Sequence, residues 1–194
     1  MKKRKTFQNN RIFIIKRKYM DTKTYFSKME EKDAAIMQAF NDDLNYFTKL
    51  NFTEEGTRHD ATAIDIKGRK VHLETKNRQG EHKDFNNFIT KYNELYVGAD
   101  KLQWMTKIME SGMTLNEKCL FVTIFNDGDY ILLFDPFKRN AEIIIRPMMR
   151  TWNPGLNRWT FETNIGFRWR DCLIYRKENG HYRQLTKKEI DSLS

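Results

Sequence analysis

Glu74 and Lys76 are the residues whose types and spacing most directly suggest chemistry. An acid followed two positions later by lysine occurs five times, starting at positions 21, 30, 65, 74 and 81. The other four pairs lie in polar stretches, at the start of a predicted helix or against a predicted turn. Glu74 and Lys76 instead lie inside the half-apolar run KVHLETK, which is typical of a strand. We therefore take both as candidate catalytic residues.

A second acid, Asp60, lies on a neighbouring β-rich run. Residues 57–66 and 70–76 flank a short connection at 67–69 that contains glycine. Two such runs around a tight turn predict a β-hairpin.

The predicted hairpin register brings Asp60 to the face of Glu74. With a turn of three residues, Thr62 lies opposite Glu74 and Asp60 lies opposite Lys76. Because side chains alternate between the two faces of a strand, Asp60, Glu74 and Lys76 then share one face. Two carboxylates and an ammonium group are therefore expected to gather on one sheet surface.

Such a cluster is unfavourable unless a cation joins it. Two carboxylates a few ångströms apart repel by about 1–4 kcal/mol at effective dielectric constants from 80 down to 20. Mg²⁺ prefers hard oxygen ligands, takes one or two carboxylates and keeps several water molecules. Asp60, Glu74 and the main-chain carbonyl of Thr75 are thus candidate ligands for Mg²⁺, or for Mn²⁺ as a substitute. The alternative is an ordinary hairpin face on which Asp60 pairs with Lys76.

Lys76 has three candidate roles beside such a cation. Lys76 would orient a metal-bound water that attacks a substrate phosphate, deprotonate that water as the neutral amine, or neutralise charge on the pentacovalent phosphorus as the ammonium. All three roles require Lys76 to lie near both carboxylates.

The flanking sequence predicts the elements that would hold this hairpin. Apolar residues recur at helical spacing over residues 28–50, and Ser27 is the expected cap of that helix. A short strand is expected over 95–97 and a second helix over 99–111.

A second hairpin gives the strongest local pattern in the sequence. CLFVTIF and YILLFDPF flank Asn126-Asp127-Gly128-Asp129, a turn of residues that tolerate positive φ. Residues 77–92 are polar and are expected to be irregular.

The order of helix, acid on a strand, tight turn and Glu-x-Lys on the next strand resembles the PD-(D/E)xK nuclease superfamily. That superfamily includes restriction endonucleases, Holliday junction resolvases and phage exonucleases. The resemblance covers roughly residues 30–135, with its signature at 57–78 and His59 where proline is usual. It implies an α/β fold with a restriction-endonuclease-like α-β-β-β-α-β core and a mixed central sheet. Many members carry a further acid on the first helix, where Asp43 fits the expected depth better than Asp33.

The function that this resemblance implies is metal-dependent hydrolysis of phosphodiester bonds in DNA, by an endonuclease or an exonuclease. The small size and the lack of a helicase motif and of a separate recognition domain suggest either general cutting or selectivity for structures such as junctions or recombination intermediates. RNA is not excluded as a substrate, and a homodimer is compatible because two strands need two active sites. The alternative function is a non-catalytic nucleic-acid-binding module on a nuclease-like fold.

Four further residues are candidate nucleic-acid contacts. His72 shares the face of Glu74, and Arg78 follows the motif closely. Arg168 and Arg170 alternate with Phe167 and a tryptophan, which would put arginines and rings on opposite faces of a strand. The alternative for His72 is a histidine whose hydrogen bonds are satisfied within the protein, and the alternative for Arg78 is a polar residue at the exit of the strand. For Arg168 and Arg170 the alternative is an ordinary β-rich extension whose rings belong to the core.

The overall composition favours a polyanionic partner. The chain has 194 residues, 35 Lys and Arg against 26 Asp and Glu, and a net charge of +9, which attracts nucleic acid. Two cysteines without CxxC spacing, and four histidines without HxxxH spacing, argue against a disulfide framework and a structural zinc site.

Three regions are expected along the chain. Residues 1–27 read as a basic arm, 28–140 as the nuclease core and 141–194 as a basic aromatic extension. The apolar stretch near the N-terminus is too short for export or for spanning a bilayer. We therefore expect no membrane association and a cytoplasmic protein, encoded by a bacterium or by a phage.

Overall fold

The computed structural model describes residues 22–53, 60–111, 116–153 and 158–193. Four α-helices lie in these ranges: α1 (Thr22–Leu44), α2 (Phe85–Lys91), α3 (Ala99–Glu110) and α4 (Lys187–Ser192). The strands are β1 (Phe47–Phe52), β2 (Ala61–Asp65), β3 (Lys70–Asn77), β4 (Glu94–Gly98), β5 (Glu117–Phe125), β6 (Tyr130–Phe134), β7 (Ile144–Asn153), β8 (Arg158–Arg168), β9 (Leu173–Glu178) and β10 (His181–Gln184). Most of the predicted basic arm lies outside the described residues.

Seven strands form the main sheet, in the order β1-β2-β3-β5-β6-β9-β10. Neighbouring strands are antiparallel except β3 and β5, which are parallel. The remaining strands form a second sheet in the order β4-β8-β7. The expected α/β class and mixed central sheet are therefore confirmed.

Both faces of the main sheet are covered, which explains why β5 and β6 are almost continuously apolar. On one face α1 packs Met37 and Phe40 against apolar side chains of β2, β3 and β5. On the other face α2, α3 and the second sheet contribute Phe85, Met105 and Phe167. The chain between β3 and β5 passes through α2, β4 and α3, so α1 and α3 lie on opposite faces.

The predicted helix over 28–50 is wrong at both ends. The helix begins at Thr22, so Ser27 lies inside it, and it ends at Leu44. Asn45 adopts a φ of 48°, and the side chain of Asn41 accepts a hydrogen bond from the Phe47 amide at 2.7 Å. These contacts turn the chain into β1, so Phe47 is buried as a residue of that strand and not as a residue of the helix.

The hairpin of β2 and β3 is confirmed, but its predicted register is wrong by two residues. Thr62 lies opposite His72, where it was expected opposite Glu74. A shift of one residue would have moved every side chain to the other face, whereas a shift of two preserves the faces. The face assignments of the sequence prediction therefore survive the error.

Asp65 causes this difference because it anchors the turn. Its Oδ1 accepts hydrogen bonds from the amides of Lys67 and Arg69, each at 2.9 Å, and its Oδ2 pairs with the Arg69 side chain. The connection is consequently longer than the predicted three residues.

The second hairpin is confirmed as β5 and β6. Asn126, Asp127 and Gly128 have φ values of 52°, 56° and 104°. A Cβ at Gly128 would come within 2.9 Å of Ile36, so glycine also allows α1 to approach this turn.

The strand expected over 95–97 and the helix expected over 99–111 are confirmed as β4 and α3. Helix α2 was not predicted, because it has only seven residues and most of them are polar. Asp84 caps it, and Phe85 and Phe88 carry it into the core.

The C-terminal region completes the core instead of forming a separate extension. β9 pairs with β6 in the main sheet, and β8 pairs with β4. Trp169 is fully buried in the cluster that also holds Phe85 of α2. In the described part of the chain, no helix has the length and apolarity needed to cross a membrane.

This packing predicts opposite effects for two tryptophans of the same region. Trp169 is 0% exposed and Trp159 is 52% exposed. Trp169→Ala should lower the free energy of unfolding by about 3–5 kcal/mol, because it leaves a large cavity. Trp159→Ala is the matched control and should change it by less than about 0.5 kcal/mol. Urea unfolding followed by circular dichroism measures both; equal effects would contradict an integral C-terminal region.

Candidate active site

The site forms where β2 separates from β3. The amide of Asp60 donates to the carbonyl of Leu73 at 3.0 Å, next to the last β2–β3 pair. Further along β3, the side chain of Asp60 replaces the main chain of β2 as the hydrogen-bond partner. Its Oδ2 accepts a hydrogen bond from the Thr75 amide at 2.6 Å. A carboxylate thus stands where a neighbouring strand would otherwise continue.

The carbonyl of Thr75 faces the same side of β3 as the Asp60 carboxylate. The amides of Lys70 and Arg78 point to the β5 side, because they donate to carbonyls of residues 116 and 124. The amide and carbonyl of one strand residue point to the same neighbour, and this direction alternates along the strand. The main-chain groups of Thr75 therefore point away from β5 and toward Asp60, as its candidate role as a ligand requires.

Glu74 lies on the α3 face of the same strand and is largely buried, with 13% of its side chain exposed. Its Oε1 contacts Lys101 Nζ at 2.9 Å. Its Oε2 is buried and has no hydrogen-bond partner among the described residues. Burial, together with repulsion from Asp60, raises the pKa of Glu74 to about 7.

Lys76 lies on the same face as Glu74, with an exposed side chain. Its pKa lies below the ordinary value because the surrounding protein partly desolvates the amine and Arg78 repels its charge. Glu74 and Asp60 act on the amine in the opposite direction. The electrostatic coupling of all three residues agrees with the cluster predicted from the hairpin.

Lys101, in the first turn of α3, is a site residue that the sequence reasoning missed. Desolvation alone would lower its pKa, but the hydrogen bond and charge of Glu74 outweigh this and raise it. No local pattern marks Lys101, because its contact with Glu74 depends on how α3 packs on the sheet.

The helix acid near the site is Asp33 and not the expected Asp43. Asp33 Oδ1 accepts from Asn77 Nδ2 at 2.6 Å, and burial and the charge of Asp60 raise its pKa. Asp43 instead binds His181 Nδ1 at 2.7 Å and the Tyr182 amide on β10. The ten residues between the two acids correspond to about 15 Å of helix, so the structure does not bring Asp43 to Glu74.

Two predicted nucleic-acid contacts are instead packed into the protein. His72 is 5% exposed, pairs through Nε2 with Glu117 at 2.9 Å and meets the edge of Trp104. Arg78 donates to the carbonyl of Tyr96 at 3.2 Å and lies over the Phe88 ring, and burial lowers its pKa to about 10. Both side chains support β3 from the α3 face; His72 is buried there, and Arg78 is partly buried.

Arg168 and Arg170 are exposed, as expected, while Phe167 and Trp169 are buried. The strand ends at Arg168, so only the first part of the predicted alternation belongs to β8. Arg168 pairs with Glu142 at 3.2 Å, and Arg170 lies over the Trp169 ring at 4.0 Å. Both guanidinium groups remain accessible from solvent.

The donor set at the edge of β3 is compatible with Mg²⁺. Among the described residues, no three His, Cys, Asp or Glu side chains are arranged around one metal position. Mg²⁺ does not require three, because one or two carboxylates with water suffice. The buried, unpartnered Oε2 of Glu74 is an oxygen for which a cation would compensate the missing hydration.

Comparison with known proteins adds no assignment. No protein-family model matches the sequence, and no curated protein matches it. The chemistry of the site therefore has to be inferred from its geometry.

The raised pKa of Glu74 gives a prediction for stability without any cation. The folded protein favours protonated Glu74, so this stabilising contribution is complete below the ordinary pKa of 4.5 and is lost as pH rises through about 7. Glu74→Gln cannot ionise but can still accept from Lys101. Relative to the parent, the free energy of unfolding of this variant should be higher by on the order of 1–3 kcal/mol at about pH 8.5 and little changed near pH 5.

Urea unfolding in EDTA at the two pH values measures this difference. Glu81→Gln is the matched control, because its side chain is 77% exposed and should show no such pH dependence. A Glu74→Gln variant that tracks the parent at both pH values would contradict the burial of this carboxylate.

Proposed function

We propose that this chain is a Mg²⁺-dependent nuclease that hydrolyses phosphodiester bonds of DNA. The observation that carries this proposal is the buried Oε2 of Glu74, which has no hydrogen-bond partner in the described part of the chain and lies beside Asp60 at the end of the β2–β3 pairing. A structural surface would avoid placing a second carboxylate there, since repulsion between the two raises the cost of burial. A divalent cation turns the same arrangement into a favourable one.

The restriction-endonuclease-like core is part of the proposal. Helix α1, the antiparallel strands β1 to β3, the crossover helix α3 and the parallel strand β5 follow the α-β-β-β-α-β order of that core. Helix α2 and strand β4 are additions between β3 and α3. Asp60 immediately precedes β2, and Glu74 and Lys76 lie on β3.

Asp60, Glu74 and the carbonyl of Thr75 are the groups that would hold the cation. When bound, Mg²⁺ would supply Lewis-acid stabilisation of the reacting phosphate and its attacking water. Asp33, whose carboxylate is fixed by Asn77, adds negative charge next to Asp60 from the other face. In this proposal Asp33 replaces Asp43 as the helix acid.

Lys76 is the proposed proton acceptor or charge partner of the attacking water. Its lowered pKa makes the neutral amine more accessible than in an ordinary lysine. The water oxygen bonds to phosphorus as the bond to the leaving sugar oxygen breaks, leaving a phosphomonoester and a hydroxyl group. In its protonated form Lys76 stabilises the charge that develops on the phosphate oxygens.

Lys101 holds Glu74 while no cation is present. Its ammonium group satisfies Oε1 and leaves Oε2 open. A cation that binds Glu74 thus meets a carboxylate already fixed in place by α3. This contact orients the ligand and reduces the reorganisation that binding requires.

DNA is the proposed partner because the chain carries a net charge of +9 and exposes Arg168 and Arg170. RNA and branched DNA are further substrates to be tested. A homodimer is a further arrangement to be tested. A nuclease of this kind would act in the cytoplasm.

Lys76→Ala should abolish cleavage while leaving DNA affinity nearly intact. The lysine acts on the attacking water and the transition state, so its removal should lower the rate by at least about 100-fold. Cleavage of labelled duplex, single-stranded and four-way DNA with Mg²⁺ or Mn²⁺ measures the rate. Binding is measured with Ca²⁺ in place of Mg²⁺. Lys70→Ala is the matched control, because Lys70 is an exposed lysine on the same strand and face.

A second readout separates metal binding from chemistry. Mg²⁺ should raise the melting temperature of the parent and of Lys76→Ala, but not of Asp60→Asn. If Lys76→Ala cuts at the parent rate, the nuclease assignment fails. DNA binding without any cleavage by the parent would instead favour the non-catalytic binding module.

Arg168 and Arg170 should affect binding and not the rate. Replacing both by Gln should weaken DNA binding at low salt and reduce the slope of log affinity against log salt by about one for each phosphate that is no longer neutralised. The rate at saturating DNA should be unchanged. Replacing the exposed Lys49 and Lys67 by Gln removes the same charge elsewhere and is the control; an equal effect there would exclude a specific role for the two arginines.

A further inference from the structure

Strands β7 and β8 continue as a two-stranded ribbon beyond the second sheet. β4 pairs only with Asn164–Arg168 of β8, whereas β7 and β8 stay paired as far as Asn153 and Arg158. We call residues 149–153 and 158–163 the β7–β8 ribbon. Along 158–163 every side chain is exposed except the half-buried Thr160. On this strand, residues of both faces thus reach solvent.

Two large rings stand on this ribbon. Trp159 is 52% exposed and Phe161 is 64% exposed. Because they are two residues apart, their side chains leave the same face of β8, about 7 Å from each other along the strand. The register places Trp152 opposite Trp159 and Arg150 opposite Phe161. The adjacent rings of Phe167 and Trp169 are fully buried, so exposure is confined to the part of β8 that β4 leaves uncovered.

The ribbon begins next to the candidate active site. Glu162 and Thr163 at its base line a cavity of about 610 Å³ together with Gly98, Ala99, Asp100 and Gln103 of the β4–α3 junction. Lys101, which contacts Glu74, lies in the same first turn of α3. A nucleic-acid strand bound at Glu74 would therefore lie next to the base of the ribbon.

Charge on the ribbon and its base favours nucleic acid as the occupant. Residues 144–168 contain four arginines and a single acid, Glu162. Exposed rings between arginines are the combination by which proteins stack unpaired bases while holding the adjacent phosphates. A paired duplex presents no free base face to such rings.

We propose that the β7–β8 ribbon stacks the unpaired bases of a nucleic-acid strand on Trp159 and Phe161. The inference rests on the proposed nuclease function for its link to cleavage, but the stacking itself does not require catalysis. It assigns the substrate class of the site: a strand with unpaired bases next to the bond that is cut, as at an end, a flap or a branch.

Affinity for labelled single-stranded and duplex DNA of equal length tests this, with Ca²⁺ in place of Mg²⁺ and a single-stranded RNA as a further probe. The combined Trp159→Ala and Phe161→Ala variant should lose at least about fivefold in single-strand affinity for each ring removed. Its duplex affinity should change little. The exchanged variant, Trp159→Phe with Phe161→Trp, keeps two rings and should retain binding. Phe137→Ala removes an exposed ring outside the ribbon and is the control.

Unchanged single-strand affinity in the double alanine variant would overturn the proposal. So would a parent dimer that the double variant converts to a monomer, since a second copy would then cover the rings. Failure of the nuclease function is recognised separately, because a parent that never cuts DNA can still show the ring-dependent preference for single strands.

Discussion

The end of the β2–β3 pairing is the constraint on which the candidate site depends. Had β2 run on beside β3, another strand residue would satisfy the amide of Thr75 and its carbonyl would be enclosed. The Asp60 carboxylate binds that amide instead. A backbone group left unpaired inside a protein is costly, so this substitution is needed for stability as well as for shape. It places an acid and the carbonyl of Thr75 next to Glu74.

The charges around Glu74 are balanced only in part. Lys101 compensates one carboxylate oxygen, and the other is buried with no partner in residues 22–53, 60–111, 116–153 and 158–193. A proton or a cation can complete the balance, and each excludes the other. Protonation stabilises the folded protein at low pH, whereas a divalent cation would do so where Glu74 is ionised. The interaction that weakens the cation-free protein above neutral pH is thus the one that a metal would use.

Sequence reasoning predicted the local part of this arrangement and missed the parts made by distant contacts. The hairpin and the faces of Asp60, Glu74 and Lys76 follow from strand alternation, which is insensitive to the shift of two residues that Asp65 imposes on the turn. The roles of Asp33 and Lys101 depend on how α1 and α3 dock on the sheet, which no local pattern encodes. For the same reason the sequence left the role of His72 and Arg78 open: the contacts of His72 with Glu117 and of Arg78 with Tyr96 are made by distant elements.

Strand β8 contributes one part to the core and leaves another part exposed. Its rings are indistinguishable by composition, and the length of β4 separates them: where β4 pairs with β8, Phe167 enters the core, and beyond that pairing Trp159 and Phe161 reach solvent. Burial of large rings stabilises the fold, and exposed rings contribute little to it. Changes in the exposed ribbon rings would therefore leave the fold intact, while the core below them is held by packing against α2 and β6.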